Sequence, residues 1–309
     1  MINRKNIKKH KNLDYEDRLI IYIDILGFKN FVDYTSQTKI NPTEKIKIIN
    51  NLLIMIKKYF TAIPKSLISS KTRQYTAFSD LLVVSVNLKE IDNIICEIYD
   101  VYNLLRQAVL NGFLLRGSIV YGKLIHTKDV LFGPGLITAY NNEKTIAKYP
   151  RIIIDDVIVS DLKDIQEKNY DYLNYDNYIS RDTDGLCYID FFKILKEDVI
   201  DFGEYARFLL SICNILLKMI DNQPLKEKYL WLKGKYIAYI NDNVDVIGHS
   251  FANESITKED LETLKFILQE HLEELNHLFI NSTDNKNILT NEDYRLESFK
   301  IISRKLNKL

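Results

Sequence analysis

The sequence lacks any excess of charge of either sign. Its 309 residues include 42 lysines and arginines and 42 aspartates and glutamates, so the formal net charge is zero. Proteins that bind nucleic acids or anionic membranes usually carry a basic excess, so this composition predicts neither partner. With 46% hydrophobic and 27% charged residues, the chain has the composition of a soluble globular protein long enough for two domains.

Cysteine and long apolar runs are also scarce. Cys96, Cys187 and Cys213 stand far apart without metal-site spacing, so we expect buried, reduced thiols. The first residues lack the apolar core and the cleavage site of a signal peptide, and no run of about 18 apolar residues follows. These absences predict a cytoplasmic location.

Hydrophobic patterning indicates strands and helices that alternate along the first part of the chain. Strands are predicted at RLIIYID, on both sides of Ser79-Asp80 in QYTAFSDLLVVSVN, at FLLRGSIVYGKLIH and at RIIIDDVIV. Helical periodicity separates them, and Gly27 and Gly112 mark helix boundaries. This order predicts an α/β sandwich, a mixed sheet with helices on one face.

The chain divides by pattern into three parts. Residues 1–17 form a basic tail, residues 18–195 the α/β domain, and residues 196–309 a helical C-terminal subdomain. His271 and His277 stand six positions apart in the last helical segment. That spacing does not suit a metal pair, which is usually one helical turn apart, so a structural or surface role is expected.

Asp24 interrupts the apolar run IIYIDILG. A carboxylate within such a strand costs several kcal/mol unless it is paired, so Asp24 either meets a buried cation or holds a metal at the strand end. Asp80 stands at the predicted hairpin tip among apolar residues. On the residues alone, a structural ion pair is the commoner explanation of such carboxylates.

The turn after Asp24 offers a place for phosphate. The backbone amides of Leu26, Gly27 and Phe28 open a predicted helix, where N–H groups favour anions, and a glycine permits close approach. Two carboxylates beside a phosphate site suit Mg²⁺ or Mn²⁺, which prefer oxygen ligands.

Several segments resemble the class III nucleotidyl cyclases. The matching segments are IIYIDILGFKNFV, YTAFSDLLVV, LLRGSIVYGKLI and FGPGLITAYNNE. With AKYPRIIID added, the sequence is more narrowly similar to the bacterial pyrimidine cyclases of Pycsar antiphage systems. The resemblance covers roughly residues 18 to 160. It implies a homodimer that binds a nucleoside triphosphate and two Mn²⁺ or Mg²⁺ ions per site, held by Asp24, Asp80 and the Ile25 carbonyl.

The departures from the cyclase pattern concern the base and the transition state. Thr76 occupies the position of the lysine that reads a purine, and Val130 replaces the second base-reading residue. The transition-state Asn and Arg fall on Ile137 and Asn141. Either the enzyme uses a pyrimidine and another cation, or the fold binds nucleotide without turning it over.

Two arginines are candidates for the missing cation. Arg116 lies among apolar residues in LLRGSIVYG, and Arg151 begins a predicted strand. A lone arginine is more often a surface charge, but an apolar setting favours a phosphate contact. Lys123 and Lys148 are weaker candidates because lysine lacks the fork geometry, and His126 alone is a poor signal.

The expected activity is therefore metal-dependent conversion of UTP or CTP to a 3′,5′-cyclic nucleotide and pyrophosphate. By resemblance, the product would signal to a downstream effector in antiphage defence. The alternative is an inert cyclase-like domain that binds nucleotide as a sensor or scaffold. A palm-type polymerase that makes cyclic oligonucleotides is a third possibility, but the sequence has no GGDD or GGDEF stretch.

Overall fold

The computed structural model describes residues 14–37, 42–61, 71–168, 174–193, 202–219 and 223–250, together with the single positions 266 and 270. The chain divides into two compact units. The first comprises residues 1–104 and 115–189, and the second comprises residues 105–114 and 190–309. Among the described residues, no helix has the length and apolar character needed to cross a membrane.

The first unit is built on an eight-stranded sheet in the order β2-β3-β1-β4-β6-β8-β7, with β5 paired to β4 outside that path. Only the β4–β6 pair is parallel among these described strands, so the sheet is mixed. The strands are β1 (Glu16–Ile25), β2 (Gln74–Phe78), β3 (Leu81–Asn87), β4 (Leu115–His126), β5 (Leu131–Phe132), β6 (Ile152–Ile154), β7 (Ile179–Arg181) and β8 (Cys187–Ile189).

Helices connect these strands and continue into the second unit. They are α1 (Phe28–Gln37), α2 (Pro42–Thr61), α3 (Ile94–Leu110), α4 (Pro134–Thr145), α5 (Asp156–Lys168), α6 (Phe202–Met219) and α7 (Lys226–Ser250). In the second unit, the buried Cys213 and Tyr236 join α6 to α7 by a 2.8 Å contact between Sγ and the phenol oxygen.

Strand β1 lies inside the sheet, between β3 and β4, and is buried on both faces from Leu19 to Ile23. One face carries a cluster that includes Ile20 and Tyr22 and extends onto β3, β4 and α4. Because side chains alternate along a strand, Asp24 points to the same face as Ile20 and Tyr22. On the two neighbouring strands, the residues paired with Asp24 are Leu81 of β3 and Arg116 of β4.

Helix α4 packs closely against that face through glycines. A Cβ atom on Gly122 would lie 2.5 Å from the Cα atom of Gly135, and a Cβ on Gly135 would lie 2.4 Å from Ile20. Ser118 donates a hydrogen bond of 2.7 Å to the carbonyl oxygen of Ala139. Helix α4 can therefore approach the sheet this closely only because Gly122 and Gly135 lack side chains.

The predicted mixed sheet with packed helices is confirmed, as is the strand break at Ser79-Asp80. The strand predicted at RIIIDDVIV is wrong after Ile154, because α5 begins at Asp156. Strands β5, β7 and β8 were not predicted. All three cysteines are free, but Cys96 is half-buried rather than buried.

The predicted domain boundaries stay a prediction. Most of the basic tail (residues 1–17) lies outside the described residues. The same holds for His271, His277 and most of residues 251–309.

Candidate active site

Asp24 and Asp80 meet at the end of the central strands. Leu81 pairs with Asp24 in the β1–β3 register, so Asp80, one residue earlier, stands beside it. The two carboxyl groups lie close enough to interact, and Asp80 is one of the groups that raise the pKa of Asp24. Ser79, at the first position of the two-residue hairpin, has a φ angle of +55°, where glycine is usual. The tight turn thus brings two residues 56 positions apart in the sequence into one site.

Arg116 and Glu143 complete the charged cluster. The Arg116 Nη2 atom lies 3.7 Å from the Asp24 carboxylate and also forms an ion pair with Glu143 of α4. The Glu143 side chain is buried, whereas Arg116 and Asp24 are partly exposed. The buried Nε atom of Arg116 has no hydrogen-bond partner among the described residues. An unpaired buried N–H is costly, and a ligand could reach it only if the neighbouring side chains moved.

The surroundings raise the pKa of Asp24 to about 7. Burial is the largest cause, followed by repulsion from Glu143 and Asp80, while Arg116 opposes the shift. The hydrogen bond with Asp80 raises the pKa further. Three carboxyl groups thus lie near one guanidinium. A single positive charge cannot compensate all three, so full ionisation of the cluster is unfavourable without a further cation.

This charge imbalance fits a divalent cation. Magnesium sites often use one or two carboxylates and take their remaining ligands from water and phosphate, which is what Asp24 and Asp80 offer. Among the described residues, no group of three or more His, Cys, Asp or Glu side chains forms a metal-ligand cluster. Ile25 follows Asp24 on β1, and the metal role of its carbonyl stays a prediction.

The predicted phosphate turn directly follows β1. Gly27 has a φ angle of +77° and α1 begins at Phe28, so the glycine expected at this strand-to-helix turn adopts a left-handed backbone conformation. A Cβ atom on Gly27 would have no neighbour within 4 Å, so the space beside it is open. Leu26, Gly27 and Phe28 therefore stand at a helix N-terminus next to Asp24, as expected, while their role in binding phosphate remains untested.

Arg151 is placed differently from Arg116. Its side chain is completely buried, forms ion pairs with Asp182 and Asp184, and lies near the rings of Tyr149 and Tyr188. These contacts are those of a structural ion pair. A side chain without exposed surface cannot touch a substrate unless its neighbours move, so the catalytic role of Arg151 remains only a prediction.

The two positions predicted to read the base lie near each other. Thr76 Oγ1 is 2.9 Å from Nε2 of His126, and His126 pairs with Leu131, the residue after Val130. Thr76 is half-buried and Val130 is exposed. His126 thus contacts Thr76 and pairs with the neighbour of Val130, and the base-reading roles of Thr76 and Val130 stay predictions.

The remaining predicted positions are exposed. Ile137 is 62% exposed and Asn141 also faces solvent on α4. Lys123 pairs with Asp17 on the surface, and Lys148 is exposed. In the described part of the chain, neither lysine joins the Asp24 cluster.

Glu143 is the site residue that the sequence analysis missed. The sequence does contain a signal for it, because Gly135, Ala139 and Glu143 recur every four residues and are the buried positions of α4. Two small residues against a sheet, followed by a carboxylate at the same helical spacing, indicate an acidic group directed at the strand ends.

The sequence matches no protein-family model and no curated protein. Among solved structures, it is similar to a monomeric guanylyl cyclase domain of the RhoGC fusion protein from the aquatic fungus Blastocladiella emersonii. That match has 14% identity and a TM-score of 0.37, over 57% of this chain and 94% of that one.

Two further solved structures are also similar. One is the catalytic core of a rhodopsin-guanylyl cyclase with converted specificity in complex with ATPalphaS, at 17% identity and a TM-score of 0.33, over 48% of this chain and 82% of that one. The other is a bacterial light-regulated adenylyl cyclase, at 14% identity and a TM-score of 0.31, over 64% of this chain and 98% of that one. At these TM-scores the likenesses do not decide the function.

Proposed function

We propose that the protein is a metal-dependent nucleotidyl cyclase that converts a nucleoside triphosphate to a 3′,5′-cyclic nucleotide and pyrophosphate. The observation that carries the proposal is the pair of Asp24 and Asp80, brought together by adjacent strands beside a helix N-terminus. The motif resemblance of the sequence supports the same reaction.

Asp24 and Asp80 would hold the divalent ions, with the Ile25 carbonyl as a further ligand. Bound Mn²⁺ or Mg²⁺ would supply acidification of the ribose 3′-hydroxyl and neutralisation of the phosphate charge. The raised pKa of Asp24 is consistent with this role, since its charge is poorly compensated by the protein alone. The amides around Gly27 would orient the phosphate chain for attack on the α-phosphorus.

Arg116 is the stronger candidate for the transition-state cation. Its ion pair with the buried Glu143 holds the guanidinium at the strand end, and its side chain is 21% exposed, whereas that of Arg151 has no exposed surface. A donor fixed before the reaction stabilises developing phosphate charge without reorganisation. Arg116 therefore suits the role that the resemblance gives to another arginine.

The substrate base in this proposal is a pyrimidine. Thr76 offers one hydroxyl and Val130 only apolar contact, so this pair has little to hydrogen-bond a purine edge. By resemblance, the enzyme works as a cytoplasmic homodimer, and its product signals to an antiphage effector.

An inert nucleotide-binding domain is the second candidate. Two observations favour it. The exposed Ile137 stands where the resemblance places a polar transition-state residue, and Arg116 already forms ion pairs with two carboxylates. Such a domain would bind nucleotide and metal but form no product.

Incubation with each of the four nucleoside triphosphates and Mn²⁺, with the products identified by mass spectrometry, tests the proposal. We expect cyclic UMP or cyclic CMP from the wild type and none from Asp80→Asn. Lys123→Gln, which changes an exposed ion pair, is the matched control. Binding without any cyclic product would favour the inert domain, and a preference for ATP or GTP would overturn the pyrimidine assignment alone.

A further inference from the structure

Two buried polar atoms of the charged cluster lack hydrogen bonds, and both belong to one ion pair. They are Nε of Arg116 and Oε1 of Glu143, neither of which has a hydrogen-bond partner among the described residues. Unpaired buried donors and acceptors are uncommon in folded proteins, because each has given up its hydrogen bonds with water. An unpaired donor and an unpaired acceptor in the same ion pair therefore need a physical reason.

The reason lies in how the Arg116 guanidinium is shared. A single nitrogen, Nη2, forms the ion pair with Oε1 of Glu143 and also lies 3.7 Å from Oδ2 of Asp24. An arginine that meets one carboxylate often forms a fork, in which two nitrogens donate to the two oxygens. Here Nη2 is attracted to two carboxylates at once, and Nε donates to neither of them. The fork with Glu143 is therefore not formed.

Glu143 is fixed more firmly than Arg116. The Glu143 side chain is 6% exposed and belongs to the buried face of α4. Ser118 of β4 donates to the carbonyl oxygen of Ala139, one turn before Glu143, and so holds α4 against the sheet at this level. The Arg116 side chain, by contrast, is 21% exposed. If the pair rearranges, the guanidinium is the part that can turn.

A divalent ion at Asp24 would remove the attraction that divides the guanidinium between two carboxylates. The ion brings two positive charges to the carboxylate beside Nη2, and like charges repel. Glu143 would then be the remaining carboxylate partner of Arg116 among the contacts in the described residues. With Nε and Nη2 turned toward the two oxygens of Glu143, both unpaired atoms would be satisfied.

We propose that Glu143 is a positioning residue that takes the Arg116 guanidinium into a bidentate ion pair when a divalent ion binds at Asp24. This inference rests on the proposed function, since that function places the ion at Asp24. Arg116 then remains beside the occupied site instead of being repelled into solvent, and its Nη1 group is left for a phosphate oxygen. The transition-state cation is thus fixed in place only when the metal is bound.

The change of partners can be measured without turnover. In protein labelled with ¹⁵N-arginine, the Nε–H signal of Arg116 is the one that is lost in Arg116→Gln. We expect saturating Mg²⁺ to shift this proton downfield and to slow its exchange with water by about tenfold, because Nε gains an acceptor. The Nε–H group of Arg18 already donates to Ser85 at 2.9 Å, so its signal is the internal reference and should not change. An Arg116 signal that saturating Mg²⁺ leaves unchanged would overturn the proposal.

A shortened side chain separates the geometry of Glu143 from its charge. Glu143→Asp keeps the carboxylate but withdraws it by one methylene, so the fork cannot form although the charge remains. We expect Mg²⁺ affinity within about threefold of the wild type, without the shift of the Arg116 signal. Asp161→Asn, which changes the carboxylate bonded to Tyr121 on the same strand, is the control and should respond as the wild type does. A shift in Glu143→Asp equal to that of the wild type would overturn the role of Glu143.

Turnover provides a second readout. Glu143→Asp should lower kcat by about tenfold or more and leave KM within about threefold, because the lost interaction acts in the transition state. An unchanged kcat in this variant would contradict the positioning role.

The two proposals fail in different ways. Cyclic product from a wild type whose Arg116 signal does not respond to Mg²⁺ would overturn the role of Glu143 and leave the cyclase assignment intact. A Mg²⁺-dependent shift of Arg116 without any cyclic product would overturn the cyclase assignment and support the change of partners. Failure of Mg²⁺ to bind, measured by calorimetry, would overturn the metal site at Asp24 and this inference with it.

Discussion

The Arg116 guanidinium lies 3.7 Å from the Asp24 carboxylate across the paired strands β1 and β4. Glu143 holds the same guanidinium from α4. Arg116 therefore has two roles in the proposed site. It lies beside Asp24, the proposed metal ligand, and it forms a structural ion pair with Glu143. Changes at this residue should alter chemistry and stability together, and variants are needed that separate the two effects.

Arg116→Gln should slow cyclic nucleotide formation by roughly 10²- to 10³-fold, the usual effect of losing a preorganised donor. The measurement is kcat with saturating nucleotide and Mn²⁺. Lys123→Gln removes an exposed positive charge of the same strand and serves as the control. A decrease of less than tenfold in Arg116→Gln, in a protein that remains folded, would place the transition-state cation elsewhere.

Removing Arg116 should also leave the buried Glu143 carboxylate without its ion-pair partner. A buried carboxylate that loses its ion pair is strongly destabilising, so Arg116→Gln should lower the free energy of unfolding by about 3 kcal/mol. The double variant Arg116→Gln, Glu143→Gln should regain part of this loss because the orphaned charge is gone. Urea unfolding of the metal-free proteins measures both values, and equal stability of the single and double variants would contradict the pairing.

Metal affinity should increase with pH between about 6 and 8. Asp24 has a pKa of about 7 in the metal-free protein, and a ligand must lose its proton before it binds a cation. Below pH 7, Mn²⁺ must displace that proton, so its affinity should fall by up to tenfold per pH unit. Calorimetry in two buffers of different ionisation enthalpy should show nearly one proton released at low pH and almost none at high pH.

The same shift predicts how stability depends on pH. The folded pKa of Asp24 is raised, so its ionisation destabilises the metal-free fold as pH rises through about 7. Asp24→Asn should remove this loss and should also remove the coupling between proton release and Mn²⁺ binding. Proton release that is unchanged in Asp24→Asn would assign the titrating group to another residue.

The resemblance, rather than the residues alone, predicted that Asp24 and Asp80 form one site, because the two are 56 positions apart and a structural ion pair was the commoner explanation for each. The local signals are an acidic residue in an apolar strand and a hairpin break at Ser79-Asp80, and the pairing of β1 with β3 brings them together. The sheet order beyond β4 was not predictable in this way. Strand β6 was predicted within RIIIDDVIV, but β7 and β8 have three residues each, too short for an alternating pattern to stand out.

The ion pairs depend on tertiary placement and could not be predicted. Glu143 reaches Arg116 because Gly122 and Gly135 let α4 approach β4 closely, and no local pattern states that distance. The Arg151 partner Asp182 follows β7, which the pattern did not indicate. In the sequence, Arg116 and Arg151 both look like isolated basic residues. Only the fold shows that the Arg116 side chain is partly exposed and that the Arg151 side chain is buried.

Ser79→Gly should stabilise the protein. Ser79 holds a φ angle of +55°, which costs an L-residue about 1 kcal/mol and costs glycine little. Thermal unfolding should show a higher midpoint for Ser79→Gly and a lower one for Ser79→Val, since branched residues adopt this conformation least readily. A lower midpoint for the glycine variant would mean that Ser79 makes a stabilising contact that outweighs the strain.

Arg151→Met should act on stability rather than on chemistry. It leaves Asp182 buried without its ion-pair partner, so we expect a loss of about 3 to 5 kcal/mol in the free energy of unfolding. Asp184→Asn should cost far less, because Asp184 is 38% exposed and water can replace its partner. Urea unfolding measures these losses, and the fraction of Arg151→Met that remains folded should show kcat within tenfold of the wild type. A stable Arg151→Met protein with kcat lowered a hundredfold would instead assign this arginine to catalysis.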